Sequence, residues 1–179
     1  SSIVQGLVVN GELAKRADVG DEVQVVLDAT PFYGEGGGQI GDCGFLVSDG
    51  SDVDRLLIAI DTVTRNRNTF IHSGYIQHGT LEVGDLVESR VDSVCRRRAQ
   101  ANHTATHLLQ SALKQVIDPG IGQAGSLVNF DRLRFDFHSP RSIKSTELEQ
   151  IEKLINGWIA GSHLLHVQEM AIDEAKALG

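Results

Sequence analysis

The amino-acid sequence predicts an α+β fold in which a β-barrel-like subdomain, residues 1–91, packs on an α+β subdomain, residues 92–179. Residues 1–91 contain short runs rich in Val and Ile, separated by Gly and Asp at turn-like positions. Residues 92–179 contain two long segments whose apolar residues recur every three or four positions, as on the buried face of a helix. We therefore expect a functional site in the cleft between the two subdomains.

Four strands are predicted in the first part of the chain. They are SIVQGLVV (2–9), DEVQVVLD (21–28), DVDRLLIAIDTVTR (52–65) and NTFIHSGYI (68–76). Several short strands with turns at this spacing are typical of a small barrel or an open sandwich.

The second part begins with a predicted helix over 92–117. Its apolar stripe consists of Ala105, Leu108, Leu109, Ala112, Leu113 and Val116. AGSLVNF (124–130) and RLRFDFHS (132–139) are predicted strands of an antiparallel sheet, on which the helices lie. In the second strand, Leu133, Phe135 and Phe137 point to one face.

A second long helix is predicted over 145–159. Thr146 and Glu149 form a capping box, and the apolar stripe consists of Leu148, Ile151, Ile155, Trp158 and Ile159. LLHVQEM (164–170) is predicted as a last strand, and AIDEAKAL (171–178) as a short helix.

Composition limits the class of protein. The chain has 179 residues, 41% of them hydrophobic, and no apolar run is long enough to span a membrane. Two cysteines provide no disulfide scaffold, so we expect reduced thiols in the cytoplasm or inside an organelle. The net charge of −8 argues weakly against a dedicated nucleic-acid coat, but it does not exclude a local basic patch at CRRRAQ, 95–100.

His103 and His107 are four residues apart in the first helix, so their imidazoles are expected about 6 Å apart. This is half of a zinc site, because zinc usually takes at least three protein ligands. A zinc protease is excluded because Thr104 follows His103 where a glutamate is needed. The alternative, a solvated polar face that happens to carry two histidines, remains open.

No neighbouring residue completes the metal site. Cys95 lies eight residues before His103, about 12 Å from it along the helix axis. Cys43 could approach only through tertiary folding, and it is the first candidate for a further ligand.

The segment DATPFYGEGGGQIGDCG (28–44) is rich in glycine. Gly36, Gly38 and Gly41 match the spacing of a dinucleotide fingerprint, but DCGFLV continues as a strand where a helix should begin. One interpretation is a structural turn or bulge. The other is a loop whose bare backbone lets a ligand approach closely, with Gln39 and Thr30 to orient it.

Three segments in order closely resemble the editing domain of alanyl-tRNA synthetases. They are LDATPFYGEGGGQIGDCG, NHTATHLLQSAL and GSLVNFDRLRFDFHSP. The first two are shared with free-standing alanyl-tRNA editing proteins, and threonyl-tRNA synthetase editing domains share only the histidine motif. The resemblance implies hydrolysis of the ester of tRNA(Ala) mischarged with serine or glycine. Such a second step is needed because binding alone discriminates small side chains only about 10–200-fold.

The resemblance also implies roles for individual residues. Gly36, Gly37, Gly38 and Gln39 face the aminoacyl-adenosine end, and the hydroxyl of Thr30 meets the serine side chain. Gln39 and Thr30 are thus the predicted catalytic and substrate-binding side chains.

His103 and His107 match the first pair of zinc ligands in the family. A later Cys-x-x-x-His pair is expected after Gly179, so residues 1–179 alone should fold, bind Zn²⁺ poorly and be nearly inactive. The Zn²⁺ either orients the substrate or activates a water. ATP and Mg²⁺ belong to the aminoacylation domain of the parent enzyme.

A rival hypothesis is a non-catalytic tRNA-binding module. It would use Arg96, Arg97 and Arg98 together with the glycine-rich loop.

Overall fold

The computed structural model describes residues 1–48, 55–164, 166 and 168–178. Within these residues the chain forms eleven strands and three helices. In chain order they are β1 (Ser2–Val9), β2 (Glu12–Ala14), β3 (Arg16–Ala17), β4 (Glu22–Leu27), β5 (Gly44–Val47), β6 (Leu57–Asn66), β7 (Thr69–His78), β8 (Leu81–Glu82), β9 (Leu86–Val91), α1 (Ser93–Val116), β10 (Gln123–Val128), β11 (Leu133–Phe137), α2 (Ser145–Gly161) and α3 (Ile172–Leu178).

The first part of the chain is a large antiparallel sheet. Its strand order is β2-β1-β4-β7-β6-β5-β9, and β1 also pairs with β9, so six strands form a closed ring of pairings. Alternate side chains of all six strands are buried together in one apolar core, because successive residues of a strand point to opposite faces. The α+β class is confirmed.

A second, smaller apolar core lies between the two long helices and the hairpin of β10 and β11. Ala112 and Leu113 of α1 and Ile151 of α2 are buried there, with Phe135 and Phe137 of β11 packed against them. The predicted stripe of α1 is confirmed at Leu109, Ala112, Leu113 and Val116 but not at Ala105 and Leu108, and the predicted inward face of β11 is confirmed at Phe135 and Phe137. The antiparallel sheet predicted for the second part of the chain has two strands among the described residues, because β10 and β11 pair as strands only with each other.

Three details of the predicted helices and strands are wrong. Leu148 and Ile159 of α2 are 53% and 58% exposed, and Leu154 packs on the core in their place. The helix begins at Ser145 as predicted, but its N-cap is Lys144 and not Thr146. The capping carboxylate is that of Glu147, which accepts from the backbone N–H of Lys144 at 2.9 Å. The described residues of the predicted strand 164–170 form no strand, and Leu165 and Val167 lie outside the described residues.

Other predictions agree with the structure. The predicted strands at 2–9, 21–28 and 68–76 correspond to β1, β4 and β7. The strand predicted over 52–65 corresponds to β6, although residues 52–54 lie outside the described residues. Among the described residues, no helix is both long and apolar enough to cross a membrane.

The glycine-rich segment joins the two cores. The backbone N–H of Val128 donates to the carbonyl of Gly38 at 2.7 Å, and the N–H of Ile40 donates to the carbonyl of Val128 at 3.0 Å. Val128 ends β10 and is completely buried. The loop therefore pairs with the end of β10 through an isolated parallel bridge between Gln39 and Val128.

This contact predicts different effects of alanine at two adjacent glycines. Both Gly37 and Gly38 have positive φ, 60° and 80°, so a side chain strains either one by about 1–2 kcal/mol. A Cβ on Gly38 would also lie 2.8 Å from the carbonyl oxygen of Ser126, whereas one on Gly37 meets nothing within 4 Å. Gly38→Ala should therefore lower the free energy of unfolding by at least about 1 kcal/mol more than Gly37→Ala. Urea unfolding of both variants measures this, and equal losses would contradict the contact.

Candidate functional site

The glycine motif forms a tight turn. Gly36 and Gln39 exchange both backbone hydrogen bonds, at 3.0 and 3.1 Å, around the central residues Gly37 and Gly38. Positive φ at both central residues is the requirement of a type I′ turn, which glycine meets without a steric penalty. The turn fixes the backbone of Gln39, whose residue is only 6% exposed.

The histidine pair lies on α1, and the turn meets it there. Asp92 caps the helix by accepting from the backbone N–H groups of Val94 and Cys95, both at 2.9 Å. The rings of His103 and His107 stack with their centroids 5.4 Å apart and their planes at 17°. The predicted proximity of the two imidazoles is confirmed.

Gln39 connects the glycine turn to the histidines. Its side-chain oxygen lies 2.8 Å from Nδ1 of His103. Because an amide oxygen can only accept, Nδ1 of a neutral His103 carries the proton and Nε2 keeps its lone pair. His103 is half-buried and His107 is exposed, so the simple solvated face does not describe His103.

A cleft of about 570 Å³ opens beside this contact. Residues of the glycine-rich segment form one side, while Arg65, Phe70, Arg96 and Gln100 form the other. The complete lining is Pro31, Phe32, Tyr33, Gly34, Glu35, Gly36, Gly37, Gln39, Arg65, Phe70, Arg96 and Gln100. The guanidinium of Arg65 lies 5.4 Å from the ring centroid of Phe70, within cation–π range. The cleft thus offers aromatic surface, bare backbone and positive charge.

An ion pair holds the wall of the cleft. The guanidinium of Arg96 donates to the buried carboxylate of Asp42 and, at 2.6 Å, to the carbonyl of Pro31. The same Asp42 oxygen accepts from the backbone N–H of Tyr33 at 2.6 Å. Arg96 therefore fixes both ends of the glycine-rich segment to α1, and its charge is already matched.

Thr30 does not line this cleft. Its hydroxyl lies 2.8 Å from Nε2 of His72 and accepts from the backbone N–H of Phe32 at 3.1 Å. His72 is fully buried, and its Nδ1 lies 2.9 Å from the carbonyl of Val25. Since a carbonyl only accepts, Nδ1 of His72 donates and Thr30 donates to Nε2. One lone pair of the Thr30 hydroxyl remains available.

The sequence motifs did not indicate His72. It occurs alone in a strand, without a partner nearby in the sequence. Alternation along the strand could have indicated its burial, since His72 shares a face with the buried Ile76. Burial lowers the pKa of His72, which favours the neutral ring in the folded protein.

The structure brings some predicted site residues together and separates others. Gly36, Gly37 and Gln39 line the cleft, whereas Gly38 does not. His103 lies outside the lining but contacts Gln39, and His107 stacks on His103. Cys43 lies instead beside Cys95, and burial together with that thiol raises its pKa to about 11. Among the described residues, no third Cys, His, Asp or Glu completes a metal-binding group with the two histidines.

The third motif of the sequence also reaches the site. The side chain of Asn102, next to His103, donates to the carbonyl of Asn129 at 2.7 Å. Val128, one residue earlier, holds the glycine turn. Three segments far apart in the sequence therefore converge on one place.

Comparison with known proteins identifies the family. Residues 1–95, more than half of the chain, match the family of class II tRNA synthetases (A). The chain therefore belongs to that family of aminoacyl-tRNA synthetases.

Its relatives are more specific. The chain is 69% identical over its whole length to an alanine–tRNA ligase of Synechococcus sp. (strain WH7803). It is 66% identical over 98% of its length to one of Prochlorococcus marinus (strain MIT 9303), and 67% over 99% to one of Parasynechococcus marenigrum (strain WH8102). In each case it spans 20% of the relative's length.

The buried His72 predicts a pH dependence of stability. In the unfolded chain its pKa returns to about 6.5, whereas in the folded protein it is lower. Below that pH the unfolded state binds a proton that the folded state does not. The free energy of unfolding should therefore fall as the pH drops from 7 towards 5, by up to about 1.4 kcal/mol per pH unit from this group.

Urea unfolding at several pH values measures this effect. His72→Gln should remove most of the slope. The exposed His78 is a matched control, because its replacement by glutamine should leave the slope in place. An unchanged slope in His72→Gln would contradict the assignment.

Proposed function

We propose that this chain is the editing domain of an alanine–tRNA ligase. It hydrolyses the ester that joins serine or glycine to the 3′ end of tRNA(Ala). The proposal depends chiefly on the contact between Gln39 and His103, at 2.8 Å. Through this contact the glycine turn that lines the cleft meets the histidine pair, as expected for a hydrolytic centre at a substrate cleft.

The cleft suits the terminal adenosine of a tRNA. Its volume of about 570 Å³ is in the range of small-molecule sites. Single-stranded nucleotides are bound by stacking on aromatic rings and by positive groups for the phosphates. Phe70 offers a ring here, and Arg65 beside it offers the charge. The local positive charge can act although the chain as a whole carries −8.

The glycine turn and its neighbours bring the ester to the hydrolytic centre. The bare backbone at Gly36 and Gly37 lets the aminoacyl-adenosine end approach closely, while Gly38 holds the turn against the hairpin. Gln39 orients that end and fixes the ring of His103. Thr30 does not line the cleft, and it supports the cleft from behind: its hydroxyl bonds to His72 and to the backbone N–H of Phe32, which does line it.

The histidine pair fits as part of a zinc site. His103 would bind through Nε2, since its Nδ1 proton is held by Gln39, an arrangement typical of metal-binding histidines. His107 supplies a second imidazole, and the remaining ligands come from another part of the ligase. Bound Zn²⁺ would supply Lewis-acid polarisation of an ester carbonyl or an activated water.

Deacylation by a full-length ligase that carries this chain tests the proposal. Ser-tRNA(Ala) and Gly-tRNA(Ala) should be hydrolysed, while Ala-tRNA(Ala) should stay largely intact. Hydrolysis of all three alike, or of none, would contradict it. Salt-dependent tRNA binding without hydrolysis would favour the rival, a non-catalytic tRNA-binding module. Of the three arginines that the rival hypothesis assigns to tRNA binding, Arg96 is already paired with Asp42.

Gln39 allows a sharper prediction. Gln39→Ala in the full-length ligase should lower the rate of Ser-tRNA(Ala) deacylation by at least about 10-fold, equivalent to about 1.4 kcal/mol. The residue is buried and hydrogen-bonded, so stability should fall by about 1 kcal/mol as well.

The matched control is Gln150→Ala, the same change on the exposed face of α2. It should alter neither the deacylation rate nor stability. Full deacylation activity in Gln39→Ala would remove Gln39 from the site and favour a purely structural turn.

A further inference from the structure

Two thiols and a carboxylate meet where the first core joins α1. Cys43 immediately precedes β5, Cys95 lies in the first turn of α1, and Asp92 caps that helix. One ligand atom from each residue lies within 4.8 Å of the other two, and all three residues are half-buried. We propose that Cys43, Cys95 and Asp92 form a structural binding site for a thiophilic divalent cation of the zinc class, separate from the histidine pair.

The donor set matches the chemistry of zinc. Thiolates and carboxylates are both zinc ligands, and a Zn–S bond of about 2.3 Å places two sulfurs about 3.8 Å apart in a tetrahedral site. Each thiol gives its proton to solvent as its sulfur binds the cation, because only the thiolate is a ligand. A water molecule completes the fourth position. No electron transfer is involved, and two protons are released for each cation bound.

The backbone already holds the three residues close together. The N–H of Asp92 donates to the carbonyl of Cys43 at 2.9 Å, which fixes the chain before β5 to the start of α1. One carboxylate oxygen of Asp92 accepts from the N–H of Cys95 at 2.9 Å. This oxygen keeps the carboxylate in place while the second oxygen remains for the cation. Cation binding therefore has to order these three residues only a little further.

The site is distinct from the histidines but adjoins the wall of the cleft. Cys95 lies about 12 Å before His103 along the same helix. Asp42 and Arg96, the ion pair of the wall, are the direct chain neighbours of Cys43 and Cys95. A bound cation would therefore fasten the glycine-rich segment to α1 beside that ion pair.

Cobalt binding by the reduced chain tests the proposal. Stoichiometric Co²⁺ should produce the near-ultraviolet thiolate-to-cobalt charge-transfer band, and Zn²⁺ should abolish it by displacement. Cys43→Ser and Cys95→Ser should each lose the band, whereas His107→Ala should keep it. Asp92→Asn retains the helix cap, since asparagine caps as well as aspartate, but should weaken Co²⁺ binding at least about 10-fold.

A second measurement on the unmodified chain does not depend on the folding of the variants. Zn²⁺ at about 100 times its Kd should raise the Tm by about 5–10 °C. It should also slow alkylation of both cysteines by iodoacetamide by at least about 10-fold. The proposal is overturned if the reduced chain gives no thiolate band and no protection. A Cys43–Cys95 disulfide in air with no metal binding after reduction would equally overturn it, as would a band that survives both cysteine variants.

Discussion

Val128 holds the glycine turn in place, and the arrangement of the site depends on this contact. Its backbone N–H and carbonyl bind the turn on both sides of Gln39, at Gly38 and at Ile40. The side chain of Val128 is completely buried, so the contact is anchored from within the protein. A residue with a Cβ at position 38 would meet Ser126, which explains why a glycine is suited to that position. Together with the contacts of Arg96 to Asp42 and Pro31, this docking fixes the turn relative to the histidines on α1.

Helix α1 packs in the second core and also contacts the glycine-rich segment, so one helix serves packing and site together. Its C-terminal half buries Ala112 and Leu113 against α2 and the hairpin. Its N-terminal half contacts the glycine-rich segment, where Arg96 binds Asp42 and His103 meets Gln39. A change that shifts the helix along its axis would therefore disturb the second core and the cleft at once.

Buried polar side chains hold the rest of the cleft in place through an ion pair and hydrogen bonds. Asp42 is buried but matched by Arg96 and by the N–H of Tyr33. His72 is buried but satisfied on both ring nitrogens, by the carbonyl of Val25 and the hydroxyl of Thr30. Buried groups of this kind are costly when a partner is lost, because the remaining group stays desolvated and unpaired. The cleft wall should consequently be sensitive to substitutions that leave its lining unchanged.

The sequence by itself determined the local structure and the order of the motifs. Periodicity of two and of three to four residues determined most strands and both long helices, because these patterns follow directly from backbone geometry. The proximity of His103 and His107 is likewise local, a consequence of spacing within one helix. The class of protein was also indicated by the residues alone, through the resemblance of three segments to one family.

Only the tertiary structure decided which distant groups meet. Gln39 and His103 are 64 residues apart, and Thr30 and His72 are 42 apart, so no local pattern could pair them. Tertiary folding likewise places Cys43 beside Cys95 and away from the histidines, which no local pattern could predict. Which apolar residues of α2 are buried was also decided by packing, since Leu148 and Leu154 are chemically alike but only Leu154 faces the core. Side-chain chemistry and sequence spacing limit which residues can interact. Folding then selects among these partners, because it brings distant segments of the chain together.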